Sequence, residues 1–147
     1  MKSLDALGIT LPPPTAPVGS YLGAVRTGQL VFLSGHIAKK DGVPWAGRVG
    51  AEISREEATA AARSIAIDLL GTLHGAVGDL ARVRRLVKLT VLVNGAPGFA
   101  EHHLVANGAT DLFLEIFGAE AAPVRTSYGA QLPLNACVEI DLIAEVG

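Results

Sequence analysis

The sequence predicts one α+β domain in which two helices pack on a single face of a mixed β-sheet. Three observations lead to this fold class. The chain has 147 residues, a length typical of one domain. Its apolar spacing alternates between the strand period and the helix period and gives the order β-β-α-β-α-β-β. Right-handed crossovers then place both helices on one side of the sheet and leave the other face uncovered in a monomer, which implies a symmetric oligomer.

The N-terminal third of the chain predicts an arm, a hairpin and a loop. Residues 1–18 form an extended arm, because prolines at positions 12–14 and 17 oppose helix. The stretch "YLGAVRTGQLVFLSGHI" has two β-rich runs around Thr27-Gly28-Gln29 and predicts a hairpin. The following "KKDGVPWAG" predicts a loop with an Asp-Gly turn.

Two helices and a strand follow. Ser54 and Glu57 have the spacing of a capping box, and Gly78 is a typical C-terminal cap. Between them, apolar residues at 58, 62, 65, 69, 73 and 76 have helical spacing. The alternation in "VKLTVLV" predicts a strand that ends at Asn94-Gly95. A second helix is expected over about 99–117, with Gly118 as its stop.

The stretch "VRTSYGAQLPLNACVEID" predicts two final strands joined by a Leu-Pro-Leu-Asn turn. Period two places Ala136, Val138, Ile140, Leu142 and Ala144 on one face, and Cys137, Glu139, Asp141, Ile143 and Glu145 on the other. The acids could simply face water. Glu139 could instead be a positioned general acid/base. Arg125 could be a surface charge, an ion-pair partner of these acids, or a bidentate clamp on a substrate carboxylate.

Composition limits the functional classes. Charged residues make up 18% of the chain, against about 25% in average proteins. This apolar excess favours a subunit interface, although the 17 glycines and many alanines offer a simpler explanation. A net charge of −2, with scattered basic residues, argues against nucleic-acid binding. We expect no membrane span, no signal peptide and, with one cysteine, a reducing cytoplasmic location.

Several isolated residues are weaker candidates. The adjacent His102 and His103 would point about 100° apart on a helix, so we expect surface histidines and no metal site. His36 could contact a cleft ligand or have a local structural role. Cys137 could be a buried, inert thiol or a reactive thiol in a cleft. No serine has matched triad partners, and no glycine-rich loop has phosphate-binding spacing.

The chain resembles the Rid/YjgF family of enamine and imine deaminases from about residue 17 to residue 146. The resemblance depends on "VGSYLGAV", "LVFLSGHI", "VRRLVKLTVLV", "FAEHHLVANGATDLF", "APVRTS" and "LPLNACVEIDLIAEV", which occur in the family's order. It implies a chorismate-mutase-like fold and a homotrimer. In such a trimer three sheets close a central barrel, and three clefts lie between subunits.

The same resemblance implies a site and a reaction. Arg125 would bind the substrate carboxylate, and Glu139 would position water and transfer protons. Further cleft residues would be Tyr21, Ser34, Gly35 and Asn107. The implied reaction converts 2-imino or enamine acids to 2-keto acids and ammonia, with no metal or organic cofactor. Because an imine carbon is already electrophilic, orientation of water and proton transfer suffice.

Three departures from the family pattern keep other functions open. Arg125 lies seven residues before Leu132, where eight is usual, and a slip of one residue reverses a side chain's face. His36 and Ala38 stand where the family usually has Gln and Pro, and the segment between Val93 and Asn107 is longer. A fold can persist without its activity. The alternatives are therefore a non-catalytic trimer that binds a small carboxylate and, less favoured by the acidic charge, a ribonuclease.

Overall fold

The computed structural model describes all 147 residues and contains the predicted mixed sheet. The strands are β1 (Ala24–Thr27), β2 (Leu30–Ile37), β3 (Lys39–Lys40), β4 (Val43–Pro44), β5 (Val83–Val93), β6 (Val124–Gly129) and β7 (Val138–Val146). The helices are α1 (Arg55–Val77) and α2 (His102–Phe117). Five strands form one sheet in the order β1-β2-β7-β5-β6, and β3 pairs with β4 in a small separate hairpin where a loop was expected.

The last two strands, which the sequence predicted to be joined directly by a turn, are not neighbours in the sheet. β6 pairs only with β5, in parallel, whereas β7 lies antiparallel between β2 and β5. The reason is the β5-α2-β6 crossover, which must return the chain parallel to β5. β7 alternates fully buried residues with half-buried ones, a pattern suited to a central strand. The predicted turn is present, but it carries the chain across the end of β5.

The first helix begins and ends where its signals predicted. The Ser54 hydroxyl accepts a hydrogen bond from the Glu57 backbone N–H at 3.1 Å, and Gly78 ends the helix with a φ of 83°. The expected apolar positions 58, 62, 65, 69 and 73 are fully buried, but position 76 is exposed and Val77 takes its place in the core. The second helix starts at His102, three residues later than expected.

Both helices pack on one face of the sheet, as predicted. The helix-facing residues of β7 are Val138, Ile140, Leu142, Ala144 and Val146, all without solvent exposure. The opposite face stays uncovered in the single chain and includes Phe32, Val124 and Tyr128. Cys137 was expected on the Glu139 face of β7. It instead precedes the strand and is fully buried in the core, because its backbone pairs with Trp45 and Asn94 outside the regular ladder.

The N-terminal arm is attached to the helices. A short 3₁₀ turn, Asp5–Leu7, precedes the prolines, so only part of the arm is extended. A side chain at Gly71 of α1 would overlap the Pro12 carbonyl, and one at Gly75 would touch the Pro14 ring. These two glycines therefore provide the space in which the proline segment crosses α1. The arm then continues towards the sheet.

Candidate active site

Four of the predicted site residues line one cavity. Tyr21, Ser34, Gly35 and Glu139 border an open cleft of about 890 Å³, a volume within the usual range for ligand sites. Its walls come from the arm, β2, the start of β3, α1 and the turn before β7. The sequence-based expectation grouped these four residues from distant parts of the chain, and the fold brings them together.

An irregularity in β2 shapes the floor of this cavity. The pairing of β2 with β7 shifts between Leu33 and His36, so Ser34 and Gly35 lie in a bulge. The Ser34 hydroxyl donates to the Leu22 carbonyl at 2.6 Å, which fixes its orientation. A side chain at Gly35 would collide with the Glu139 carboxylate. The glycine therefore leaves room for that carboxylate within the bulge.

Glu139 is the principal acidic group of the cavity. It lies in the central strand β7, is half-buried and takes part in none of the chain's ion pairs. Burial, and to a smaller extent the neighbouring Asp141 carboxylate, raise the pKa of Glu139 above its usual value. A carboxyl group with a raised pKa exchanges protons more readily near neutral pH. Its position and titration suit a general acid/base.

His36 lines the same cavity and has a fixed orientation. Its Nδ1–H donates to the Ser34 carbonyl at 2.7 Å, so Nε2 is left to accept from the Thr72 hydroxyl at 2.8 Å. Burial lowers the pKa of His36, although the Ser34 carbonyl and Asp68 partly oppose this effect. The side chain both lines the cavity and ties β2 to α1. The structural and cleft roles proposed for it are therefore compatible.

Sequence reasoning missed two charged residues of the same cavity, Asp68 and Lys39. Asp68 is half-buried in α1, and burial raises its pKa while Lys39 and His36 lower it. Neither Asp68 nor Lys39 belongs to an ion pair. The available signal was the polar pair Asp68 and Thr72, one helical turn apart beside the apolar stripe of α1.

Arg125 and Asn107 lie away from this cavity in the single chain. Arg125 of β6 pairs in register with the buried Leu89 of β5, so its side chain lies on the helix side of the sheet. Glu139 of β7 pairs with Leu92 of β5, and its side chain lies on the open side. The intervening β5 separates the two strands, and Arg125 forms no ion pair with Glu139 or Asp141. Within one chain, Arg125 is therefore not an ion-pair partner of Glu139 or Asp141.

The guanidinium of Arg125 is held by the second helix. Its Nη1 donates to Asn107 Oδ1 at 2.7 Å and Thr110 Oγ1 at 3.0 Å, and Nη2 donates to the His103 carbonyl at 3.2 Å. A guanidinium has five N–H donors, so Nε–H and one Nη2 hydrogen have no partner. The side chain is only partly buried. Arg125 is thus oriented by Asn107 and retains donors for an external carboxylate.

The weaker candidates have other environments. His102 packs edge-on against Phe99, with ring centroids 5.1 Å apart. No group of three or more potential metal-binding side chains occurs in the chain. Cys137 is buried in the core, and burial raises its pKa to about 11, which makes it the inert thiol of the two possibilities. No helix has the length and apolar character needed to cross a membrane.

The fold and the cavity together define a class: an α+β protein with two helices on one face of a five-stranded sheet, an uncovered opposite face and a carboxylate-bearing cleft. Residues 2–146 match the family described as "YjgF/chorismate_mutase-like, putative endoribonuclease". The chain therefore belongs to the YjgF/chorismate-mutase-like family, which includes the Rid proteins. The family's chorismate-mutase-like fold is confirmed.

Three relatives illustrate the similarity. Protein TCP17 of Trypanosoma cruzi is 43% identical over 147 residues, covering 98% of this chain and 92% of the relative. The crystal structure of Atu1372 from Agrobacterium tumefaciens, of unknown function, is 35% identical, with a TM-score of 0.89 over 98% of this chain and 90% of that chain. A Shewanella oneidensis structure described as "a putative endoribonuclease" is 31% identical, with a TM-score of 0.91 over 97% and 96% of the two chains.

Proposed function

We propose that this protein hydrolyses reactive 2-imino and enamine acids to 2-keto acids and ammonia. The observation that carries the proposal is Glu139, a carboxylate on a central strand that faces the cavity without a charged partner and has a raised pKa. Tyr21, Ser34 and Gly35 shape the space around it. The chemical steps need only a positioned water and proton transfer, and we propose that no cofactor takes part.

The proposed reaction uses both protonation states of Glu139. An enamine first takes a proton at carbon from the carboxylic acid and becomes an iminium ion, which leaves a carboxylate. That carboxylate then removes a proton from water as the water oxygen bonds to the imine carbon. The same proton passes to the amino nitrogen, and the carbon–nitrogen bond breaks to release ammonia. The hydroxyl proton then returns to the Glu139 carboxylate, which forms the keto group and regenerates the carboxylic acid. Positioned proton transfer of this kind typically contributes about 10²–10⁴-fold to a rate.

We further propose that Arg125 binds the substrate carboxylate in a cleft between subunits of a cytoplasmic homotrimer. Within one chain Arg125 is separated from Glu139 by β5. A neighbouring subunit could present its Arg125 to this cavity if the uncovered sheet faces pack together around a central barrel. The support is the partly exposed guanidinium, which Asn107 orients and which retains its Nε–H donor. In this proposal Asn107 does not contact the substrate but positions the Arg125 guanidinium that binds it.

A deamination assay tests the proposal. An amino-acid oxidase generates imines, semicarbazide traps what remains, and wild type is compared with Glu139→Gln and Arg125→Ala. We expect Glu139→Gln to lower kcat by about 10²–10⁴-fold and Arg125→Ala mainly to raise KM, with the oligomer unchanged in size. Arg63→Ala is the matched control, because Arg63 is exposed and lies outside the cavity. Full activity of Glu139→Gln would reject the catalytic role of Glu139, and inactivity of correctly assembled wild type would reject the deaminase function.

One observation favours a second candidate, a non-catalytic trimer that binds a small carboxylate. Arg125 lies on the helix side of the sheet and is separated from Glu139 by β5, so a carboxylate bound by Arg125 need not reach the acid. This candidate predicts that 2-keto acids bind without any acceleration of imine loss. Calorimetry with pyruvate, run beside the assay, separates the two candidates. The ribonuclease role has less support, since two half-buried acids line the cavity and would repel phosphate.

A further inference from the structure

The turn before β7 holds a leucine in an unfavourable backbone conformation. Leu134 has φ 57° and ψ 23°, and Asn135 follows with φ 55°. Both lie in the left-handed region, where a β-carbon crowds the following carbonyl oxygen. Asparagine tolerates this region well, but leucine does so rarely. The turn therefore contains one suited residue and one unsuited residue.

The rest of the turn enforces this conformation. The Asn135 carbonyl accepts a hydrogen bond from the Gly47 N–H at 2.9 Å. The Asn135 side-chain oxygen accepts from Nδ2 of the buried Asn94 at 3.0 Å. Strained conformations persist where the surroundings fix them, and they concentrate at functional sites.

Burial of the Leu134 side chain does not compensate for the strain. Its exposed fraction is 66%, so the side chain adds little to the core. An exposed leucine with a left-handed backbone is unfavourable on two counts, and asparagine or glycine would be more stable there. The residue needs an explanation outside the stability of the single chain.

The location of Leu134 supplies that explanation. It lines the cavity together with Glu139, on a wall that also includes Pro133. The arm contributes Val18, with 89% exposure, and the adjacent Tyr21, with 48%. These exposed apolar side chains form a rim, whereas the acids of the cavity are half-buried. The cleft thus combines a polar floor with an apolar rim.

We infer that Leu134 is a specificity-determining residue that contacts the apolar substituent of the substrate. The inference rests on the deaminase function proposed above and adds its substrate class. Imines derived from amino acids with larger aliphatic side chains should be preferred over the imine derived from alanine. One additional methylene in an apolar pocket typically changes specificity by roughly 10-fold or more. Leu134 keeps its strained conformation because the turn aims its side chain at this position.

The test compares Leu134→Asn and Leu134→Met with wild type on leucine-derived and alanine-derived imines. We expect Leu134→Asn to lower kcat/KM for the leucine-derived imine by roughly 10-fold, leave the alanine-derived imine nearly unchanged, and raise Tm by about 2–4 °C as strain is relieved. Leu134→Met should retain the wild-type preference. Asp41→Gly is the control, since Asp41 also has a left-handed φ of 53° but lies outside the cavity.

The outcomes separate this inference from the deaminase function. If wild type is active and Leu134→Asn keeps the full preference, the inference is overturned and the deaminase function stands. A change of oligomer size in Leu134→Asn by light scattering would also overturn it, because Leu134 would then be an interface residue. If wild type deaminates no imine, calorimetry with 4-methyl-2-oxopentanoate and pyruvate decides. A preference for the larger acid that Leu134→Asn removes would support the inference, and equal binding would overturn it.

Discussion

At the scale of single residues, the cavity holds titratable groups in states that differ from their states in water. His36 is kept neutral by burial, which outweighs the opposite effect of the Ser34 carbonyl on its pKa, while Glu139 and Asp68 have raised pKa values because burial disfavours their charged forms. The shifts act on stability in opposite directions. Protonation of the acids favours the folded state, whereas protonation of the histidine favours the unfolded state.

We predict that His36→Gln reduces the loss of stability on acidification. Unfolded histidine binds a proton below about pH 6.5, whereas folded His36 binds one only at lower pH. The unfolded state therefore carries more protons in this window, and the free energy of unfolding falls as the pH is lowered through it. Glu139 opposes this fall equally in both proteins, whereas Asp68, whose pKa His36 lowers, opposes it somewhat more in the variant. Thermal unfolding at pH 7.5 and 5.5 measures the difference, and equal losses in the two proteins would contradict the prediction.

Cys137 provides a second test at this scale. Its pKa is raised to about 11, and it is fully buried, so thiolate is scarce and inaccessible in the native protein. We expect the native thiol to react with an aromatic disulfide reagent at pH 8 at least about 100-fold more slowly than the unfolded thiol. Because Cys137 is the only cysteine, the protein in guanidinium serves as its own control. Rapid labelling of the native protein would reject the buried assignment.

At the scale of elements, close packing depends on glycines inside the helices. A side chain at Gly108 of α2 would overlap the Thr59 carbonyl of α1, and the glycines of α1 receive the proline arm in the same way. Glycine weakens an isolated helix by about 1 kcal/mol relative to alanine. In this protein the loss is offset because the glycines allow α2 and the proline arm, which borders the cavity, to pack closely against α1. Tertiary packing thus outweighs local propensity.

We predict that Gly108→Ala destabilises the protein in spite of its better helix propensity. The added methyl group would force α1 and α2 apart, and overpacking of this kind usually costs about 1–3 kcal/mol. Asp111→Ala on an exposed position of the same helix should change stability by less than about 0.5 kcal/mol. Chemical denaturation measures both variants. A stabilised Gly108→Ala variant would show that the helices have room to adjust.

At the scale of the whole molecule, the two halves of the proposed site lie on different parts of the sheet. Glu139 borders the cavity beside the arm, whereas Arg125 is held by α2 at the far edge strand. The site that we propose is therefore complete only with a neighbouring subunit. The open sheet face supplies an apolar surface for that contact, including the adjacent Phe32 and Ile143.

We predict that Phe32→Asp disrupts the oligomer and, with it, deaminase activity. Phe32 is 40% exposed on the open face, and a charge there could not be buried against another subunit without a large penalty. Val43→Asp is the control, because Val43 is a 60% exposed apolar residue in the separate β3–β4 hairpin. Light scattering reports the mass, and the imine assay reports the activity. A Phe32→Asp variant of unchanged mass would exclude the open face as the interface.

Periodic patterns in the sequence by themselves determined the two helices, the faces of β7 and the uncovered side of the sheet. The capping box at Ser54 and the alternation around Glu139 are local signals, and the side-chain direction follows directly from the helix or strand period. Motif resemblance grouped Tyr21, Ser34, Gly35 and Glu139, which line one cavity, with Arg125 and Asn107, which lie away from it. The roles assigned to them stay predictions.

Only the tertiary structure decided the order of the strands and therefore the separation of Arg125 from Glu139. Strand order depends on pairings between distant segments, and the seven residues between Arg125 and Leu132 carry no local signal that β5 lies between β6 and β7. Likewise, Asp68, Lys39 and the strained Leu134 enter the cavity only because α1, the arm and the last turn meet there. Local periodicity fixes the direction of a side chain, but long-range packing fixes which side chains it meets.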